Sequence, residues 1–333
     1  MISSAVIIEQ MLVICLLILV GAFLHKKALL TDAGARQLSY VIVHITNPAI
    51  MLSTAIEEET VIPAAQIGQA FALAFAAYAL MALSGFLISL LLRSDTGDRI
   101  AIVMMSMYAN VGFIGIPLAL ATLGPRVMVY VTVNNLVYSL LFYTTGTPLI
   151  RYAARLRRRG MTGNSSPRNG DGRKTAEALR EMLKGLLHTG TIGAIISIFI
   201  YLGHPAIPSI ISDPLLYAGR CTTFLSMLVL GVSVASSPFR SYLTDRKTWI
   251  FVLLRGLIMP ILVGLALAPF IQEESLRDAV LLLVAVPAGN LPMIVSREME
   301  LDDRLFARGI ILSTLISLVT IPVSMALAHL LIP

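Results

Sequence analysis

Ten stretches of mostly apolar residues occupy this chain, at 6–24, 38–55, 64–92, 100–123, 127–150, 186–203, 214–236, 248–271, 276–295 and 305–331. Each approaches or exceeds the roughly 20 residues that carry a helix across the hydrocarbon core of a bilayer. Backbone polar groups have no water to bond in lipid, so such runs cross as helices. Over the full 333 residues, 57% are hydrophobic and 13% are charged, against about a quarter charged in a soluble domain. The fold expected is an all-α polytopic membrane protein with ten transmembrane helices, and its first partner is the lipid bilayer. A formal charge of +6 does not make it a nucleic-acid binder, because the positive residues have a topological explanation. Cys15 and Cys221 both lie inside apolar runs and read as small buried hydrophobes. Glu9 and the lack of a basic start mark the first run as a retained span rather than a cleaved signal.

The long hydrophilic stretch at 151–184 contains GMTGNSSPRNGDG, composed like a flexible linker. It separates a first unit, 1–150, from a second, 185–333, with five runs in each. Five is odd, so the second half enters the membrane from the opposite side, and two inverted five-helix repeats follow if the halves share a fold. The linker's end, KTAEALREMLKGLL, has apolar residues at helical spacing and reads as an interfacial helix. The connections after runs 1, 3, 5, 7 and 9, together with Arg308 just inside the tenth run, hold 21 of the 25 Lys and Arg residues. Those after runs 2, 4, 6 and 8 hold only Arg126 and Arg277. By the positive-inside rule the linker is cytoplasmic and both termini lie outside.

Helix breakers recur at matching places. The fourth run reads MYANVGFIGIPLAL, with Asn110, Gly112, Gly115 and Pro117 at its middle, and the ninth reads VAVPAGNLPMIV, with Pro287, Gly289, Asn290 and Pro292. An interior proline removes a helical bond and clashes with the preceding turn, at a cost of about 3 kcal/mol. Each run is expected to be two half-helices joined by exposed backbone, crossing near the bilayer midplane. Their N-termini would offer N–H groups and partial positive charge to a ligand, and the two asparagines would add amides.

Other residues are candidates for the same site. The second run carries Asn47 and Pro48 within VHITNPAIML, so it is expected to bend there, and His44 one turn earlier reads as a hydrogen-bonded structural histidine. The fifth places Asn134 beside Asn135. Adjacent helical positions diverge by about 100°, so only one of the two can face a site, and interhelical hydrogen bonding is the default for both. Arg220 and Arg255 lie inside apolar sequence. Arg255 is near enough to the cytoplasmic end to snorkel, and otherwise stands as a counter-charge for an anion. No carboxylate lies centrally in any run, and the signatures GxxxxGK[ST], HExxH and GxSxG are missing. Neither an enzyme nor an ATP-driven pump is indicated, and no cofactor or metal is called for.

With NPAIML at 47–52, NVGFIGIPL at 110–118 and PAGNLPMI at 287–294, the chain resembles the auxin efflux carrier family, in particular its compact prokaryotic, malate or malonate permease-like members. That resemblance implies a fold similar to bile acid/sodium symporters and a substrate site where helices 4 and 9 cross. It also implies elevator-type movement against a scaffold of helices 1, 2, 6 and 7 that serves as the homodimer surface. A secondary transporter of a small organic anion in the cytoplasmic (inner) membrane is the expected function. A sodium-coupled carrier and a non-transporting membrane sensor are the alternatives.

Overall fold

The computed structural model describes residues 4–58, 62–162, 183, 187–236, 244–299, 301 and 304–331. The interfacial helix expected at the end of the linker falls, except for Leu183, outside the described residues. We number the helices α1 (Ser4–Lys26), α2 (Asp32–Glu57), α3 (Ala64–Leu91), α4 (Thr96–Met107), α5 (Val111–Leu123) and α6 (Pro125–Ala154). The remainder are α7 (Thr189–Gly203), α8 (Ser209–Ala235), α9 (Arg246–Phe270), α10 (Glu274–Ala285), α11 (Leu291–Glu298) and α12 (Arg304–Leu331). Among the described residues no strand forms beyond a single antiparallel bridge, Ala109 with Ala288.

Seven helices, α1, α2, α3, α6, α8, α9 and α12, are long and apolar enough to cross a membrane unbroken. That is fewer than the ten apolar runs, for two reasons. The fourth and ninth runs are each divided into short segments, α4 with α5 and α10 with α11. The sixth run yields only the 15 residues of α7, which at about 1.5 Å rise per residue reach roughly 22 Å.

Four prolines within the helices share one arrangement, whereas Pro214 in α8 and Pro322 in α12 sit inside an unwidened helix. A five-residue π turn at Ile42–Thr46, Val111–Gly115, Phe142–Gly146 and Leu254–Ile258 is followed, in each case two residues later, by Pro48, Pro117, Pro148 or Pro260. Proline lacks an N–H and its ring collides with the carbonyl four residues back. Widening the preceding turn to i→i+5 bonding removes the collision, and proline then sits in the first turn of the next α segment, where no donor is needed. So α2 is not broken at Asn47–Pro48; it passes through the π turn as a single span.

Packing groups the helices into two neighbourhoods, which meet where α7 packs on α6 and α1 on α12. In one, α1 lies along α8, and α2 is wedged between α7 and α8. In the other, α3 packs on α4 and α6, while α12 packs on α9 and α10. The α1–α8 contact is backbone to backbone. A Cβ added to Gly21 would stand 2.4 Å from the Leu228 carbonyl oxygen, and one added to Gly231 would stand 2.2 Å from that of Ile18. Small residues permit this approach, which is how helices associate where lipid supplies no hydrophobic drive. At the rim of the second neighbourhood, Asp245 caps α9 and accepts from Thr248 (2.8 Å) and Arg308 (3.1 Å). Burial raises its carboxyl, yet these hydrogen bonds outweigh that and hold it below the ordinary carboxylate range.

A Cβ on Gly231 has no free space to enter, whereas nothing lies within 4 Å of one on Gly68. Gly231→Leu is expected to destabilise the protein by about 1–3 kcal/mol or more through overpacking. Gly68→Ala should be neutral or gain up to about 1 kcal/mol from helix propensity. Unfolding of the two variants in detergent micelles checks both.

Candidate functional site

Where α4 ends, the chain becomes extended: Tyr108 has φ −98° and ψ 87°, and Asn110 has φ −80° and ψ 60°. Where α10 ends, Val286 adopts φ −56° and ψ 136°. These two interruptions pair with one another. The Asn110 N–H donates to the Pro287 carbonyl and the Gly289 N–H to the Tyr108 carbonyl, both at 2.8 Å. Ala288 N–H donates to Ser313 Oγ on α12 at 3.2 Å. Unpaired amides in a lipid-embedded interior would each cost several kcal/mol, so each break supplies the other with partners its own helix no longer provides. Gly289 permits the approach, since a Cβ there would meet the Ala109 and Tyr108 carbonyl oxygens at 2.8 and 2.9 Å.

Tyr108 anchors the first break. It is wholly buried, its hydroxyl is 3.1 Å from Thr145 Oγ1, and its ring packs edge-on against Tyr138 and Phe142 at 5.4 and 5.0 Å.

Each break leads into a second helix through an asparagine. Asn110 immediately precedes α5 and Asn290 immediately precedes α11. Asparagine at such a position ordinarily turns its side chain back to cap the helix, but Asn110 makes no side-chain cap bond. Its amide nitrogen is buried without a partner, as is the amide oxygen of Asn47. Both residues border a cavity of about 210 Å³ that is also lined by Gly112, Gly289, Asn290, Asn135, Tyr138, Tyr143, His188 and Thr191. That volume accepts a small molecule rather than a single water. Val111, Gly112 and Phe113 of the first turn of α5 line it as well, and the N-terminal end of a helix favours negative charge.

Five of the residues singled out from sequence, Asn47, Asn110, Gly112, Gly289 and Asn290, therefore share one cavity. The others are placed elsewhere. Pro287 lies within the second break and gives its carbonyl to Asn110, but it does not line the cavity. Pro292 is buried in the first turn of α11. Pro117 does not interrupt its helix: the first break lies upstream at Tyr108–Asn110, and the π turn absorbs the proline. Gly115 packs against Leu283 of α10, and Pro48 packs against Gly193 of α7. Asn134 points away from the cavity and donates to the Tyr78 hydroxyl at 3.4 Å, while its neighbour Asn135 occupies the cavity wall.

Arg255 neither snorkels nor reaches the cavity. It is 1% exposed, and its Nε donates to the Met105 carbonyl at 3.0 Å. The last carbonyls of α4 lose their helical donors at the break and form the negative pole of that helix. A cation held there offsets them. Arg220, by contrast, is exposed.

Sequence reasoning missed Tyr138, Tyr143, His188 and Thr191 as cavity residues. His188 follows the linker at the start of the sixth apolar run, where nothing in the local pattern distinguishes it. It also passed over Asp278, which is 2% exposed and lies 3.3 Å from His329 Nε2 on α12. That pair is not part of the cavity wall.

A family profile described as "Membrane transport protein" matches residues 6–325. An uncharacterized transporter of Methanocaldococcus jannaschii is 24% identical over 322 residues, an alignment that covers 94% of this chain and 96% of that protein.

Because a Cβ at Gly289 meets two carbonyl oxygens of the opposite break, Gly289→Ala must push the breaks apart, at an expected cost of about 1–3 kcal/mol. At Gly112 the neighbour is only the mobile Asn47 amide, 3.0 Å away. Gly112→Ala should therefore leave stability nearly unchanged while narrowing the cavity. Thermal melting of the purified variants separates the two.

Proposed function

The chain belongs to the membrane transport protein family, and from that premise we propose that it is a secondary carrier of a small organic anion, held in the cavity between the two paired breaks and α2. The observation that carries this reading is the set of unsatisfied amides there. The buried, partnerless Asn110 nitrogen and the first turn of α5 both offer donors to an anionic oxygen, and Asn47, Asn135 and Asn290 surround the same space. Among the described residues lining the cavity there is no Asp or Glu to repel an anion.

In this proposal the chain has ten membrane passages in two inverted five-helix repeats, 1–150 and 185–333, joined by a cytoplasmic linker at 151–184. α4 with α5, and α10 with α11, each make one interrupted crossing. Both termini lie outside the cytoplasmic membrane. The two packing neighbourhoods support an elevator arrangement: α1, α2, α7 and α8 form a scaffold, through which a homodimer assembles, and the remaining helices move the cavity across the membrane. Asn47 on α2 is then the scaffold's contribution, and Asn110 and Asn290 travel with the cargo. Binding by dipoles and amides matches the charge of an anion without a fixed countercharge that would hold it too firmly to release.

Asn290→Ala and Asn110→Ala proteoliposomes should lose carboxylate uptake by about tenfold or more, corresponding to the 1–3 kcal/mol of a lost hydrogen bond to a charged group. Unchanged flux would remove both residues from the site. Uptake should also persist when sodium is replaced by potassium on both sides of the vesicle. Strict dependence on a sodium gradient would favour the sodium-coupled alternative, and cargo binding without flux would favour a sensor.

A further inference from the structure

A histidine on the cavity wall, His188, has a second histidine, His44, packed behind it, and the proposed carrier reading gives this pair no role. His188 sits at the N-cap of α7, where its Nδ1 accepts the Gly190 N–H at 3.2 Å. His44, in the π turn of α2, approaches Thr189 Oγ1 through its Nδ1 at 2.9 Å. The two imidazole rings lie 4.6 Å apart by centroid, and Tyr40 packs on the far side of His44 at 4.1 Å. His188 is a wall residue of the cavity.

Bond geometry decides what each ring can do. With Nδ1 of His188 accepting from the helix N-terminus, the neutral ring carries its proton on Nε2. A second proton on His188 would turn Nδ1 into a donor and break the cap. His44 faces no such conflict, because the Thr189 hydroxyl can accept from a protonated Nδ1 as readily as donate to a bare one. Two imidazolium rings this close would repel, so the pair takes up one proton and not two.

Among the described residues the cavity wall supplies no competing charge: it holds no Asp, Glu, Lys or Arg. The other titratable groups are Tyr40, stacked on His44, and Tyr138 and Tyr143 of α6 on the same wall. α8 meets α2 through Thr222 on Thr46 and Gly219 on Ile50, so its charged residues, Asp213 and Arg220, lie a turn or more from His44. Among the described residues of that wall, His188, backed by His44, is where an anion meets a group able to share a proton.

We propose that the His44–His188 pair is a proton-binding site that completes the carboxylate site at the mouth of the cavity, taking up one proton when the anion binds. The step balances: a carboxylate and a proton enter together, and the loaded pair plus anion is neutral. Linkage makes the effect reciprocal, so lower pH tightens anion binding by the same factor by which the anion raises the pair's proton affinity. By the same linkage the pair gives up its proton when the cargo departs. The inference rests on the anion reading of the same cavity.

The test is the dissociation constant of lactate and of oxalate for the purified full-length protein, by calorimetry at about pH 6 and about pH 8, where both probes remain ionised. Binding should tighten about fivefold or more on going to the lower pH. His188→Asn keeps a capping acceptor and His44→Gln keeps a partner for Thr189. His44→Gln should lose the pH dependence, whereas His188→Asn, which leaves the ring that takes the proton, should keep most of it. Wild-type binding that is the same at both pH values, or a pH dependence that survives in His44→Gln, overturns the histidine site and leaves the anion carrier standing. Failure of either carboxylate to bind at both pH values overturns the two together.

Discussion

Two pieces of chain that have left their helices must find hydrogen-bond partners where neither water nor lipid offers any. The rest of the structure depends on how that is solved. The first break gives the second its Asn110 N–H and Tyr108 carbonyl, and receives the Pro287 carbonyl and Gly289 N–H in return. Because the exchange is mutual, neither interruption is tolerable alone. Around this seam the fold places the groups that sustain it: Ser313 for the leftover Ala288 amide, Arg255 for the carbonyls at the end of α4, and Tyr108 as an anchor against α6. The cavity is what remains beside the seam, and its polarity follows from the same event. α5 starts inside the protein, so its first turn and the asparagine before it face an interior space rather than solvent.

Such a cavity is selective through dipoles rather than fixed charge. Amide groups on α2, α6 and both breaks border it, and a buried guanidinium that would have supplied permanent positive charge is turned instead toward Met105. A carrier must bind its cargo on one side and release it on the other, and a permanent, desolvated ion pair would resist release. In the proposed carrier a wall without fixed charge, among its described residues, would avoid that cost.

Much of this could be read from residues alone. Apolar runs of membrane-crossing length foretold an all-helical chain, and Asn110, Gly112, Gly289 and Asn290 could be picked out because glycine, proline and asparagine are conspicuous in apolar sequence. Their exact roles could not. Pro117 drew attention as a breaker, yet a π turn accommodates it, and the interruption falls on Tyr-Ala-Asn, which has no local reason to leave a helix. What takes it out is the other break, 179 residues away in sequence by the pairing of Ala109 with Ala288, and no local pattern encodes that partner. Asn134 and Asn135 were indistinguishable by type, and only the packing of α6 against Tyr78 separates them. His188 acquires meaning only beside His44, a juxtaposition created by α2 lying against α7.

The pairing of the breaks can be measured directly. Ala109 and Ala288 face each other without direct hydrogen bonds between them, an arrangement that sets Cα atoms about 4.5 Å apart, at the near edge of the roughly 4.4–6.8 Å range for a disulfide. With Cys15 and Cys221 replaced by serine, the double variant Ala109→Cys, Ala288→Cys should cross-link under mild oxidation in native membranes. The two halves would then remain joined after the linker is cleaved by protease. Halves that separate under the same oxidation, with both cysteines present and the protein folded, would contradict the pairing and with it the origin assigned to the cavity.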